Sequence, residues 1–249
     1  MKYMGSKSRI AKEIVPIIQE YIDKNNISTY IEPFVGGANV IDKIKCENRI
    51  GTDKNSYLVG LLKGVSEDRK VEETLTKEYY DTVRTSYNQQ DDKFDDFEYG
   101  RVGFLGSYNG RFFDGGYAKS GYEKLKNGGE RYRDYYREAR DNLLSQDLKD
   151  IEFRVRDYRE WTEEISKGGF VVYCDPPYAN TKEYKSAKDF DWDEFWALMR
   201  KWSENNIVII SEQTAPEDFE CIWEKPVSRS IKSTDKSRAT EKMFKYKGE

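Results

Sequence analysis

The chain has 249 residues, of which 35% are charged and 37% are hydrophobic, and its mean hydropathy is −0.91. This length predicts one large domain, or a core domain with a smaller insert. Aromatic residues make up 14% of the sequence, which is too many for a largely disordered chain. The sequence contains no apolar run near the roughly 20 residues that a membrane-spanning helix needs.

The reactive residues of the chain exclude several enzyme classes. The sequence has no histidine, and its three cysteines (Cys46, Cys174 and Cys221) form no Cys-x-x-Cys pair. Ser-His-Asp hydrolases, papain-like proteases and HExxH metalloproteases are therefore excluded. The cysteine pattern, with no secretory signal in residues 1–7, predicts a reducing cytoplasm, no disulfide framework and no metal. Chemistry must use carboxylates, backbone carbonyls, aromatic rings, lysines or a cofactor.

Charge is unevenly distributed along the chain, although the net charge is only −4. Residues 1–12 carry four basic groups and no acid, and residues 101–140 carry nine basic and five acidic groups. Residues 229–247 carry seven basic and two acidic groups. Residues 66–98 carry eleven acids and five bases. The three basic zones predict local contact with nucleic acid, with ordinary solvated surface as the alternative.

Helical and strand patterns alternate along the first part of the chain. Apolar residues at helical spacing predict a helix over 8–24, with a kink or break at Pro16. The next predicted elements are a strand at 29–31, a helix at 37–45, a strand at 49–53, a helix at 55–64 and a polar, solvated helical segment at 66–98.

Residues 100–130 interrupt this alternation with nine glycines among basic and aromatic residues, which predicts a loop or hairpin region. The predicted elements that follow are a helix at 131–146, strands at 150–155 and 170–174, a helix at 191–204, and strands at 207–210, 219–224 and 242–247. The alternation predicts a doubly wound α/β sheet with helices on both faces. We expect residues 1–65 and 147–249 to form the core domain and residues 66–146 to form an insert.

The first candidate site follows the strand at 29–31. Gly36 and Gly37 allow the backbone to approach a ligand, and Asp53 ends the next strand, where it could accept hydrogen bonds from two ribose hydroxyls. The segment matches neither GxGxxG nor the GxxxxGK[ST] phosphate loop, which disfavours a dinucleotide. A nucleoside cofactor without phosphates, such as S-adenosylmethionine (SAM), fits better. The alternatives are a tight turn without a ligand and a nicotinamide oxidoreductase.

The second candidate site is Asp175-Pro176-Pro177-Tyr178, directly after the apolar strand 170–174. A carboxylate beside the Pro176 carbonyl makes a pair of acceptors, which suits the two N–H bonds of an exocyclic amine. Tyr178 offers a flat face for a base removed from its stack. Two acceptors can favour a tetrahedral nitrogen and expose its lone pair to a methyl donor. A proline-rich loop without chemistry is the alternative.

Three motifs together resemble the Dam-type, α-group DNA adenine methyltransferases. They are Tyr3-Met4-Gly5-Ser6-Lys7, Glu32-Pro33-Phe34-Val35-Gly36-Gly37 and Asp175-Pro176-Pro177-Tyr178. The resemblance extends over nearly the whole chain. It implies a Rossmann-like SAM-dependent methyltransferase domain, with the insert at 66–146 as the target-recognition subdomain.

The resemblance also implies roles for individual residues. Asp175, Pro176 and Tyr178 would hold the flipped adenine as the catalytic group. The SAM-binding residues would be Tyr3, Lys7, Glu32, Phe34, Gly36, Gly37, Asp53, Asp157, Tyr158 and Asp175. Asp157-Tyr158 matches an Asp-Phe pair of the family that contacts the adenine of SAM.

Phe104 to Gly110 resembles the family's target-recognition stretch, in which Tyr108 and Asn109 would enter the DNA. Ser107 replaces the arginine that the family usually has there, so the recognised sequence does not follow from the resemblance. Arg111, Phe112 and Phe113 are further candidate DNA contacts, with a packed hairpin as the alternative reading of this stretch.

The resemblance implies methyl transfer from SAM to N6 of adenine in duplex DNA, which is the activity of class EC 2.1.1.72. SAM would be converted to S-adenosylhomocysteine, without a metal. We expect a monomer or weak dimer in the cytoplasm of a bacterium or a phage-infected cell. The alternatives are RNA adenine or another planar amine or amide as the acceptor, and a DNA-binding homologue without activity.

Overall fold

A seven-stranded sheet forms the centre of the computed structural model, which describes residues 1–3, 5–125, 128–177, 190–228 and 238–248. The strands are β1 (Thr29–Glu32), β2 (Asn48–Asp53), β5 (Ile151–Val155), β6 (Phe170–Cys174), β7 (Ile207–Glu212), β8 (Phe219–Ser228) and β9 (Arg238–Tyr246), with β3 (Gly121–Lys124) and β4 (Glu130–Arg133) in a separate hairpin. Among the described residues, no helix combines the length and apolar character needed to cross a membrane.

The helices pack on both faces of this sheet and on the hairpin region. They are α1 (Ala11–Lys24), α2 (Ser56–Ser66), α3 (Lys77–Gln89), α4 (Asp96–Gly100), α5 (Tyr135–Leu144), α6 (Thr162–Ile165) and α7 (Trp192–Ser203). A π-helical segment, Arg101–Leu105, continues α4, and 3₁₀ turns occupy Lys7–Arg9, Ile41–Lys43, Tyr108–Gly110 and Tyr158–Trp161.

The strand order is β5-β2-β1-β6-β7-β9-β8, in which β5 to β7 are parallel and β9 and β8 are antiparallel additions. Counted within this sheet, the first five positions are 3-2-1-4-5, the Rossmann arrangement. The chain reverses its direction of travel across the sheet between β1 and β6. Ligands of such sheets bind beyond the carboxyl ends of the strands at that point.

Successive side chains of the central strands pack alternately into two separate hydrophobic cores, one on each face of the sheet. Val171 and Tyr173 pack in the core on one face, which also holds Ile14 and Ile18 of α1. Val172 and Cys174 pack in the core on the other face. Because both faces are buried, these strands appear in the sequence as continuous apolar runs. The predicted doubly wound α/β fold is confirmed, whereas the insert boundaries at 66 and 146 stay a prediction.

The predicted helix at 37–45 is wrong, and so is a break at Pro16. Only one 3₁₀ turn forms at Ile41–Lys43, because Gly36 and Ala38 adopt left-handed conformations, with φ of +48° and +54°. Helix α1 runs through Pro16 as one element. Proline there removes one helical hydrogen bond, and the buried isoleucines of α1 offset that loss.

The predicted loop region at 100–130 is partly wrong. Residues 101–105 form a buried π-helical segment, while β3 and β4 form the expected hairpin. A side chain at Gly100 would meet the Tyr57 carbonyl, and one at Gly103 would meet the Phe112 ring. These glycines therefore permit close packing rather than turns.

Two other predicted elements differ from expectation. The predicted helix at 131–146 begins at Tyr135, since residues 130–133 belong to β4. The segment 66–98 is helical at α3 and α4, but it is not wholly solvated, because Tyr80 and Val83 are fully buried.

Candidate active site

A cavity of about 290 Å³ lies beyond the carboxyl ends of the central parallel strands. It is lined by three groups of residues that are distant in sequence: Tyr3, Gly5, Ser6 and Lys7; Glu32 to Gly37, Asn39, Val40, Asp53 and Lys54; and Arg156 to Arg159, Tyr173, Asp175 to Pro177, Phe190 and Asp191. Every predicted cofactor residue and two of the three predicted catalytic residues therefore line one cavity. Tyr178, the third, lies outside the described residues.

The turn after β1 forms one wall of the cavity. The backbone N–H of Gly36 donates to Asp53 Oδ2 at 3.3 Å, and the N–H of Asn55 donates to Oδ1 at 3.0 Å. Burial raises the pKa of Asp53, and these two hydrogen bonds oppose that effect. A side chain at Gly37 would lie 2.8 Å from Cβ of Tyr3, so the turn and the N-terminal segment pack without space between them.

Three aromatic rings pack against one another and line an apolar part of the same cavity, here called the aromatic slot. Tyr158 stacks on Phe190 with ring centroids 5.5 Å apart and planes at 27°, and its centroid lies 5.0 Å from that of Phe34. Burial raises the pKa of Tyr158 to about 12, so its hydroxyl is neutral at physiological pH. The slot has the flat, apolar character that suits a purine ring.

The sequence did not single out Phe190. It lies immediately before Asp191, the N-cap residue of α7. One signal in the sequence could have indicated it. An aromatic residue stands directly before a helix cap, in the segment that follows the Asp-Pro-Pro motif.

Asp157 is placed by local structure as well as by the cavity. It caps the 3₁₀ turn Tyr158–Trp161, and its carboxylate accepts hydrogen bonds from the Arg159 side chain at 2.8 and 2.9 Å. The Arg159 guanidinium lowers the pKa of Asp157, which keeps it anionic. A negative group beside the aromatic slot can accept hydrogen bonds from a bound nucleoside.

Asp175 follows β6 and reaches the cavity from its floor. Lys7 Nζ donates to Asp175 Oδ1 at 2.7 Å, and the Lys7 side chain is only 6% exposed. Burial raises the pKa of Asp175, while the Lys7 ammonium lowers it. Pro176 is buried and also lines the cavity.

Glu32 is the most deeply buried acid of the cavity, with 2% exposure. The Tyr30 hydroxyl donates to Glu32 Oε1 at 2.7 Å. Burial nevertheless holds the pKa of Glu32 well above its usual range, and the nearby Asp175 carboxylate adds to this rise. The cavity therefore contains acids of unequal strength.

The predicted DNA-contacting residues lie outside this cavity. Tyr108 is 48% exposed, and Asn109 and Arg111 are exposed beside it in the 3₁₀ turn and just after it. The turn contacts the N-terminal segment, since a side chain at Gly110 would lie 2.7 Å from the Lys2 carbonyl.

Phe113 is a wrong candidate for DNA contact, because it is 3% exposed and stacks on Tyr87. Phe112 is half-buried and stacks on Tyr57 of α2, so its contact with DNA stays a prediction.

A family model for the D12 class N6 adenine-specific DNA methyltransferases matches residues 3–238. The chain belongs to this family. The family accounts for a methyl donor of the SAM type and for DNA as the substrate class. The structure adds that the three motifs of the sequence meet at one cavity.

Two curated proteins resemble this D12-class chain along most of its length. Type II methyltransferase M.MjaIII of Methanocaldococcus jannaschii is 27% identical over 218 residues, which are 78% of this chain and 74% of that protein. Type II methyltransferase M.FokI of Planomicrobium okeanokoites is 24% identical over 200 residues, which are 73% of this chain and 29% of that protein. Among solved structures, the rRNA methyltransferase AviRa of Streptomyces viridochromogenes matches with 10% identity and a TM-score of 0.41, covering 96% of this chain and 85% of that one.

Proposed function

We propose that this protein transfers a methyl group from SAM to N6 of adenine in a specific duplex DNA sequence, with the adenine flipped into the cavity beside Asp175. The observation that carries the proposal is the meeting of Asp175-Pro176 with the aromatic slot in one cavity. An acceptor pair for an amine and a slot for a purine are the two parts that such a reaction needs.

The lining of the cavity supports a nucleoside cofactor such as SAM. Asp53 ends β2 and lines the cavity, where its carboxylate can accept a hydrogen bond from a ribose hydroxyl. The ribose of SAM would donate to Asp53, and its adenine would pack against the rings of Phe34, Tyr158 and Phe190. When bound, SAM supplies a methyl group already activated on a sulfonium.

Asp175 and the Pro176 carbonyl would act on the target amine. Each would accept one N–H of adenine N6, which orients the nitrogen lone pair toward the methyl donor. The nitrogen–carbon bond forms as the carbon–sulfur bond breaks, and the nitrogen then releases one proton. Asp175, as the anionic acceptor of that N–H, is placed to receive the proton. Tyr178 is proposed to stack on the flipped base.

The surface around Tyr108 supports duplex DNA as the substrate. Tyr108 lies near Tyr135, with ring centroids 6.0 Å apart, at the base of the β3–β4 hairpin. Exposed basic residues of this surface include Arg111, Lys119, Lys124 and Arg131. A two-stranded ribbon of this size fits the major groove, and the basic residues would contact phosphates.

The decisive test is Asp175→Ala, assayed with radiolabelled SAM on duplex DNA. We expect kcat to fall by about a hundredfold to a thousandfold, because the variant lacks an acceptor that acts on the reacting nitrogen. SAM binding measured by calorimetry should persist. Asp193→Asn, an exposed acid in the first turn of α7, is the matched control. Wild-type turnover by Asp175→Ala would refute the mechanism.

The acceptor itself is tested by offering the wild-type protein duplex DNA, RNA and protein in parallel. Methyl incorporation confined to adenine N6 in duplex DNA supports the proposal. Incorporation only into RNA or a protein amide would replace it, and no incorporation with DNA binding retained would indicate an inactive DNA-binding protein. Sequencing modified adenines in DNA from cells expressing the chain would then give the recognised sequence.

A further inference from the structure

We propose that Lys7 is a positioning residue for Asp175 rather than a ligand of the cofactor, and that Glu241 acts on the same carboxylate with the opposite sign. The inference rests on the proposed function, and it assigns to the N-terminal motif a task on the acceptor side of the cavity.

The geometry places Lys7 on the carboxylate. Its side chain leaves the 3₁₀ turn Lys7–Arg9, which Ser6 caps by accepting from the backbone N–H of Ser8 at 3.2 Å. The ammonium contacts Asp175 Oδ1 at 2.7 Å and lies 3.9 Å from Glu241 Oε2 on β9. The Lys7 ammonium therefore lies between two acids, one directly after β6 and one on β9.

Burial makes this contact energetically important. The Lys7 side chain is 6% exposed, and those of Asp175 and Glu241 are 20% and 17% exposed. Removing one partner of such a buried pair leaves the other charge without compensation in a poorly solvated site. Among the described residues, the titratable side chains that interact electrostatically with Asp175 are Lys7 from the N-terminal segment, Glu241 from β9, Glu32 from β1 and its neighbours Tyr173 and Cys174 on β6.

The ionised form of Asp175 is the form that can act on an amine. An ionised carboxylate only accepts hydrogen bonds, whereas a protonated carboxyl group presents an O–H that opposes the N–H of the amine. Burial raises the pKa of Asp175, Glu241 adds to the rise and Lys7 counteracts it. Lys7 therefore keeps Asp175 ionised, and able to accept hydrogen bonds, down to lower pH. Glu241 opposes this effect.

The sign of each effect on the pH profile follows. The rate should fall at low pH as Asp175 becomes protonated. In Lys7→Met the pKa of Asp175 rises, so this acid limb moves to higher pH. In Glu241→Gln the neighbouring negative charge disappears while Lys7 remains, so the limb moves to lower pH. Two substitutions around one carboxylate are expected to shift one profile in opposite directions.

The experiment measures single-turnover methylation of duplex DNA from about pH 5.5 to 8.5, with calorimetry of SAM binding at each end. Relative to wild type at the same pH, the Lys7→Met rate should fall about tenfold more at about pH 6 than at about pH 8. Lys7→Arg should return the limb toward the wild-type position, because it keeps the charge. Lys70→Met, a 76% exposed lysine in the acidic zone, is the matched control and should leave the profile unchanged.

Each outcome decides the inference. Opposite shifts in Lys7→Met and Glu241→Gln, with SAM affinity within about twofold of wild type, support it. A Lys7→Met profile parallel to wild type would overturn it, as would a tenfold loss of SAM affinity, which would make Lys7 a cofactor ligand. If Lys7→Met does not fold, an unshifted limb in Glu241→Gln overturns the inference. Failure of the proposed function is separate, since the wild-type protein would then not methylate adenine in duplex DNA.

Discussion

The cavity at the sheet edge and the surface around Tyr108 hold their side chains in different ways. In the cavity, Asp53 is fixed by two backbone N–H groups, Asp175 by a buried lysine and Tyr158 by stacked rings. Around Tyr108, the exposed side chains project from a short turn and a two-stranded hairpin. The first region is set by packing before any ligand binds, while the second presents exposed groups that a partner outside the chain could contact.

This difference indicates how the two regions divide the work. A rigid cavity suits a reaction whose rate depends on alignment, since small displacements are costly there. An exposed and charged surface suits recognition of a partner along a phosphate backbone, where many weak contacts add up. If the division is correct, a substitution in one region should leave unchanged the affinity of the other region for its own ligand, measured in the absence of the first ligand.

The largest effect in this comparison is expected from Phe190→Ala. The substitution removes one wall of the aromatic slot, and we expect SAM affinity to fall by about 2 kcal/mol, or about thirtyfold. Calorimetry with S-adenosylhomocysteine measures the loss. DNA binding without cofactor should not change, and Tyr122→Ala, which removes a 76% exposed ring from β3, should not affect the cofactor. Equal losses for both ligands would contradict the division.

A smaller effect is expected from Tyr108→Ala on DNA binding. Loss of a ring that contacts bases should lower duplex affinity by about 1 kcal/mol, or roughly fivefold. Fluorescence anisotropy with labelled duplex measures it. Tyr79→Ala on α3 removes a ring of similar exposure, 39%, in the acidic zone and serves as the control. A parallel loss in both variants would show that Tyr108 has no particular role.

The smallest effect is expected from Lys124→Gln at the end of β3. Loss of one phosphate contact should weaken DNA binding about twofold to threefold at low salt and reduce the slope of log K against log salt by about one. Titrations at several salt concentrations give this slope. Lys70→Gln, a 76% exposed lysine in the acidic zone, should not alter it. An unchanged slope for Lys124→Gln would remove the hairpin from the DNA interface.

The sequence predicted the strands of the cavity well because their burial on both faces leaves continuous apolar runs, as in Phe170 to Cys174. The glycines at 100 and 103 were wrongly predicted to form turns. In a sequence, a glycine that allows two elements to pack closely cannot be distinguished from a glycine that forms a turn. The helix expected at 37–45 does not form, because Ala38 has a positive φ that is incompatible with an α-helix. The spacing of apolar residues does not reveal such a backbone angle.

The site was predictable in its parts and not in its contacts. Asp53 and Asp175 could be chosen because each lies at the end of a predicted strand, whereas Tyr3 and Lys7 were indicated only by the resemblance to the family. The Lys7–Asp175 pair joins residues 168 positions apart, and only the fold brings them together. Phe190 belongs to no motif, and its place in the slot depends on where α7 begins.

Gly110 packs directly against the backbone carbonyl of Lys2, and this contact connects the two regions through a few residues. The segment that begins at Lys2 also supplies Tyr3 and Lys7 to the cavity wall. We therefore expect occupancy at one end of this segment to change the affinity at the other. Any cooperativity must be reciprocal, so that cofactor tightens duplex binding by the same factor by which duplex tightens cofactor binding. Replacing Gly110 with a bulkier residue should uncouple the two ligands before it abolishes either affinity.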